Sequence, residues 1–109
     1  MAKTVNPARW QIKALRSKLD DSALMSRDLH ANPIPHLDGK RFTAFVTPAE
    51  QRTEEQKLIV AESDVLINEL RDADIIVLGI PLYNLGVPST FKAYIDHVAR
   101  AGETFRYTA

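Results

Sequence analysis

The spacing of apolar residues changes several times along this chain, and each change predicts an element. Ala8, Ile12, Leu15 and Leu19 recur at helical intervals, with Arg9, Lys13, Arg16 and Lys18 on the remaining surface, which predicts an amphipathic helix. Asn6 suits its N-cap and Pro7 its first turn. Ser22 to Arg27 is a short strand candidate. In the DLHANPIPHLDG stretch that follows, Pro33 and Pro35 forbid a regular helix and Asp38-Gly39 marks a turn. Thr53 and Gln56 have the spacing of a capping box, so a second helix is expected to begin there. Ile59, Ser63, Leu66, Ile67 and Leu70 give it one largely apolar side, and it should end near Asp72.

Ile75 to Ile80 is a continuous apolar, mostly β-branched run. It is too short for a typical helix and predicts a strand buried on both faces, as in parallel sheets. A loop from Pro81 to Val87 comes next. Pro88 or Ser89 opens a third helix, with Phe91, Ile95, Val98 and Ala99 as its buried stripe and Lys92 paired with Asp96 one turn on. Helix, strand, helix, strand, helix is the order of an open α/β sheet.

Composition narrows the function classes. A length of 109 residues admits a single domain, residues 1–109. The 14 Lys plus Arg balance 14 Asp plus Glu, which removes the broad basic footprint of a dedicated nucleic-acid binder. The basic face of the first helix could touch phosphate, but no aromatic residues interleave to stack bases. With no cysteine, disulfides, thiolate nucleophiles and Cys-based zinc sites are excluded. No apolar run approaches a membrane span, and MAKTVNPARW lacks the apolar core of a secretory signal. A cytoplasmic protein is the expectation.

In open parallel sheets, ligands bind beyond the carboxyl ends of the strands. That places the candidate site in the loop after Ile75–Ile80. The loop offers Tyr83, Asn84 and a backbone bent by Pro81, Gly86 and Pro88, with none of the usual acids, bases or nucleophiles. It suits a planar ligand that needs stacking and backbone hydrogen bonds, with the chemistry coming from a bound cofactor. It equally suits a plain strand-to-helix turn. His30 and His36 stand six apart in a Pro-bearing loop and His97 is distant, a spacing that predicts no metal site. Ser63 with Asp64, and Asp72 with Asp74, read as solvated surface. GxxxxGK[ST], GxGxxG and GxSxG are all absent.

Ala73 to Thr108, ADIIVLGIPLYNLGVPSTFKAYIDHVARAGETFRYT, closely resembles the central part of FMN-dependent NADH-azoreductases, and more distantly the NAD(P)H quinone reductases. RDLHANPIPHLDG, Arg27 to Gly39, resembles the segment after the second strand of the same azoreductases. The resemblance implies an α/β fold, a partial flavodoxin-like doubly wound parallel sheet. It implies FMN as cofactor, NADH as electron donor, and two-electron reduction of a quinone or azo compound. It assigns contact with the flavin ring to Pro81, Leu82, Tyr83, Asn84 and Leu85. The usual pattern has Met and Phe where Leu82 and Leu85 stand, so an apolar side chain is kept at both. The Gly102-Glu103-Thr104-Phe105-Arg106-Tyr107 segment also matches. No catalytic acid or base is named, and a homodimer is implied.

Two parts of the family pattern are not found. Residues 1–12 show neither a hydrophobic first strand nor a Ser-rich phosphate loop, and the chain stops before the C-terminal strands and a second, Gly-rich flavin loop. A five-stranded sheet, at about 30 residues or more per βα unit, asks for on the order of 150 residues. The sheet is therefore expected to lack its first strand and its C-terminal strands. The alternative function is a catalytically inactive homologue acting as an interaction module, or an unfolded gene fragment.

Overall fold

A computed structural model describes residues 2–5, 18 and 24–108. Three short strands, β1 (Ala2–Val5), β2 (Leu24–Arg27) and β3 (Ile75–Leu78), form one parallel sheet in the order β2-β1-β3. The register is in step on both sides of β1, with Ala2 opposite Leu24 and Ile75 and Val5 opposite Arg27 and Leu78. Between β2 and β3 the chain forms helix α1 (Gly39–Val46), a 3-10 turn at Ala49–Gln51 and helix α2 (Glu54–Arg71). Helix α3 (Ser89–Val98) follows β3.

The expectation of a missing first strand is corrected by β1. Four residues, AKTV, are too few and too mixed to show an apolar run. They are held extended because parallel partners on both sides take up the backbone hydrogen bonds of the central strand. Among the described residues no fourth strand follows β3. The predicted helix from Asn6 to Leu19 lies outside the described residues apart from Lys18.

β3 occupies its predicted place but differs in burial. It is an edge strand, and Ile75, Ile76 and Leu78 are exposed. An all-apolar strand predicts cover on both faces, and the described residues leave much of it uncovered.

Helix α2 follows the sequence closely. Thr53 Oγ1 accepts the Gln56 N–H at 3.2 Å, Gln56 Oε1 accepts the Thr53 N–H at 3.0 Å, and the helix ends at Asp72 as its C-cap. Helix α1 goes beyond the sequence reading. Asp38-Gly39 is a helix start rather than a free turn, with Asp38 Oδ1 accepting the Arg41 N–H at 2.8 Å. That bond from Arg41 also holds the exposed Asp38 carboxyl below its ordinary value. In α3 the buried face is Phe91, Tyr94 and Val98, while Ile95 is exposed and Ala99 is the C-cap. The predicted Lys92–Asp96 pair is present.

The main core joins Leu29, Leu66, Ile67, Phe91, Tyr94 and Val98, with Ile34, Leu70 and Ile80 packed against it. A second cluster, Ala44, Ile59 and Val60 with Phe45, fixes α1 on the first half of α2. Ile80, two residues beyond β3, thus ties the start of the candidate loop to the core, and buried Pro88 closes its far end.

Candidate functional site

Because all strands run parallel, Val5, Arg27 and Leu78 end on the same edge of the sheet. From β1 the chain winds first to β2 and then across to β3, so the direction reverses between β1 and β3. This is the position at which open α/β sheets bind ligands.

The loop leaving β3 there is a tight hairpin. Tyr83 and Gly86 exchange both backbone hydrogen bonds, at 2.9 and 3.0 Å, around Asn84 at φ 51° and Leu85 at φ 64°. Two central residues with positive φ define a type I′ turn, in which Asn is favoured first and Gly second. Asn84 obeys that rule. Leu85 breaks it, since a left-handed backbone with a Cβ costs roughly 1–2 kcal/mol. Packing does not offset the cost, because Leu85 is 96% exposed. Leu82 and Tyr83 are also open, at 72% and 62%, and Pro81 and Asn84 are exposed. The five sequence-predicted residues therefore come together on one short projection. Two leucines and a phenol ring face solvent beside one carboxamide, on a backbone held in shape by its own hydrogen bonds.

Chemically, the projection can receive a flat, mostly apolar ring and offer its polar edge the Asn84 amide, which both donates and accepts. Strain at an exposed apolar residue is the kind of local irregularity found at ligand sites. An isoalloxazine ring, apolar at one end and rich in hydrogen-bonding groups at the other, fits this donor set.

Behind the strand edge lies a half-buried ion pair. Arg27 Nε donates to Glu69 Oε2 at 2.9 Å and its Nη2 donates to Glu69 Oε1. The Glu69 hydrogen bond raises the Arg27 guanidinium above its ordinary value. Burial and the Glu69 charge push the Tyr94 hydroxyl up to about 12, with Arg27 opposing.

Ser63 lies on the buried side of α2, where its place in the apolar stripe put it, and not at the solvated surface predicted for the Ser63–Asp64 pair. It is fully buried, donates to the His97 carbonyl and accepts from Arg100. His97 is buried too, its Nδ1 2.9 Å from the Ala93 carbonyl and its Nε2 without a partner among the described residues. His30 and His36 are exposed. Among the described residues no three His, Cys, Asp or Glu side chains gather as metal ligands.

A cleft of about 460 Å³ lies at the other end of α3, with Phe42, Phe45, Arg100, Phe105 and Tyr107 among its walls. Sequence reading matched the last of these segments to a family but gave it no place. The only signal was its density of aromatic residues.

Residues 9–109 match the family described as Flavodoxin-like fold. The curated FMN-dependent NADH:quinone oxidoreductase of Alcanivorax borkumensis is 57% identical over 98 residues, which cover 90% of this chain and 50% of that protein. The azoreductase from Bacillus anthracis str. Sterne aligns with a TM-score of 0.77 at 27% identity, over 98% of this chain and 59% of that one. An FMN-dependent NADH-azoreductase from Bacillus anthracis str. Ames Ancestor, solved in complex with FMN, shares the fold with a TM-score of 0.80 at 18% identity. The chain spans about half the length of the curated relatives it matches. With a match over nearly all of its residues and a parallel sheet wound about β1, the chain belongs to the flavodoxin-like family.

Proposed function

We propose that this chain carries the flavin-ring loop of an FMN-dependent NADH:quinone or azo-compound oxidoreductase. The observation that carries this reading is the strained, exposed turn at Leu82–Leu85, standing on the ligand edge of the sheet. The names of the relatives supply the reaction class. When bound, FMN would supply the two-electron redox chemistry between NADH and a quinone or azo compound.

The chain's own residues bind and orient. Pro81 turns the backbone away from β3, while Leu82, Tyr83 and Leu85 give the ring an apolar surface and exclude water from it. Asn84 addresses the ring's polar edge. No residue of the loop is assigned as a catalytic acid or base. A homodimer in the cytoplasm belongs to the same reading.

A second reading, a non-enzymatic interaction module, is favoured by one observation, the exposed apolar edge of β3. Titrating the purified chain with FMN and following flavin fluorescence separates the two. Binding that Leu85→Asp weakens by about tenfold or more, the order of one lost apolar contact, together with NADH oxidation in the presence of a quinone, supports the flavoenzyme reading. No flavin binding and no NADH oxidation overturn it and leave the interaction module.

A further inference from the structure

The Phe105 and Tyr107 rings meet edge to face with centroids 5.5 Å apart, although Phe105 is 42% and Tyr107 86% exposed. Rings so exposed are not held in place by core packing. Their position comes from the turn that precedes them, and that turn hangs on Arg100. The Arg100 N–H donates to Thr104 Oγ1 at 2.9 Å, and Thr104 Oγ1 donates to the Val98 carbonyl at 2.6 Å. The Arg100 carbonyl accepts from the Glu103 and Thr104 N–H groups at 3.1 and 3.0 Å. Gly102, at φ +85°, closes the turn by donating to the Phe105 carbonyl at 2.7 Å. A left-handed φ there suits only a residue without a Cβ.

The Arg100 side chain points the other way, into the body of the protein. It is 6% exposed, and Nη1 donates to Ser63 Oγ at 3.0 Å and to Asp64 Oδ1 at 2.6 Å, both on α2. Its guanidinium carbon lies 5.4 Å from the centre of the Phe45 ring of α1, within cation–π range. One residue thus couples two helices to the aromatic wall of the 460 Å³ cleft. Arg71 also ties the turn, its Nη2 donating to the Glu103 carbonyl at 3.1 Å and to the Glu103 carboxylate at 3.0 Å, but both side chains are exposed and their ion pair is screened by water.

We infer that Arg100 is a positioning residue: pinned by Ser63 and Asp64, it sets where the Phe105–Tyr107 wall stands and so the width the cleft offers a planar aromatic molecule. A quinone as occupant rests only on the substrate class given under Proposed function, since the cleft lies at the opposite end of α3 from the Leu82–Leu85 loop; the placement of the wall rests on neither. Asp64 is the adjustable member, because its carboxylate is half exposed and can be changed without disturbing the core. Without it the buried guanidinium keeps, among the described residues, a neutral hydroxyl and the Phe45 ring but no anion. Such a charge moves toward water and carries the turn with it.

The test compares Asp64→Asn, Asp64→Glu and Arg100→Lys in the whole chain by NMR. Expected in Asp64→Asn and Arg100→Lys are loss of the inter-ring contact between Phe105 and Tyr107 and amide exchange at Gly102 faster by about tenfold or more, with the centre of α2 unchanged. Asp64→Glu restores both signals. Menadione added to the wild type shifts the Tyr107 ring resonances, and Asp64→Asn weakens that binding about fivefold or more, as a coupling of order 1 kcal/mol gives. Folded Asp64→Asn protein with the ring contact and Gly102 exchange of the wild type overturns the positioning role. Altered ring contact with no menadione binding to the wild type upholds the positioning role and overturns the quinone reading of the cleft.

Discussion

Helices α2 and α3 meet across Leu66, Ile67, Phe91, Tyr94 and Val98, all buried, and the polar groups beside that contact are mostly paired. The edge of β3 and the turn beyond it are the reverse. Ile75, Ile76, Leu78, Leu82 and Leu85 are as apolar as the helix contact and all exposed. The two regions share a composition and differ in what covers them, so hydrophobicity along the chain marks surfaces that need a partner without saying which partner. In the helix contact the partner is the chain itself. At the strand edge and the loop, the described residues provide none.

Four measurements would break or sharpen this contrast. The largest expected effect is at the helix contact. Ile67→Ala, at a position only 1% exposed, is expected to cost about 3 kcal/mol in urea unfolding through the cavity it leaves. A loss under about 1 kcal/mol would mean that the helix pair is loosely packed and that the contrast is weak.

Next in size is the response to alkali. The Tyr94 hydroxyl is pushed up to about 12 in the folded chain, against about 10 for a free tyrosine. Below about 10 both states keep the proton and its contribution is fully present. Between the two values the unfolded chain loses the proton first, so stability falls as pH rises, by at most about 1.4 kcal/mol per pH unit. Urea unfolding as a function of alkaline pH is expected to show this fall in the wild type and less of it in Tyr94→Phe. Identical slopes would contradict the burial of that hydroxyl.

A smaller effect, of opposite sign, is expected at the turn. Leu85→Gly removes the left-handed strain and should raise stability by up to about 1 kcal/mol, while weakening any flavin bound there. Gain in one and loss in the other identifies Leu85 as a residue kept for its ligand; loss in both would mean that its side chain packs within the chain. The smallest change is expected at the strand edge. Ile75→Thr keeps a β-branched residue at an exposed position and should alter stability by less than about 0.5 kcal/mol, while lowering self-association in light scattering. A larger destabilisation would show that Ile75 is covered in solution.

What could be read from the sequence was what short-range chemistry writes into it. The Thr53–Gln56 capping box locates the start of α2 because both hydrogen bonds span three residues. The position of the loop from Pro81 to Val87 follows from the strand before it and the helix after it. Features that depend on distant partners were not legible. β1 is a strand because of neighbours contributed by two far segments, and its four residues carry no pattern of their own. The type I′ turn is hidden because leucine is a poor residue for its second position. Asp64 lies in the middle of α2 and Arg100 just beyond the end of α3, and only folding shows that the aspartate next to buried Ser63 reaches a guanidinium. Ser63 itself was legible from its place in the apolar stripe of α2, and only its pairing with the charged Asp64 suggested surface.

The placement of β1 between β2 and β3 also governs the order of assembly. Its bonds join Ala2 to Ile75, so most of the chain must already be compact before the central strand finds its second neighbour. Closing so long a loop is entropically expensive and gains little until the strand is in register. The α1–α2 contact, made between adjacent segments, carries no such delay. Refolding is therefore expected to run in two stages, with helix signals recovering early and protection of the β1 amides last.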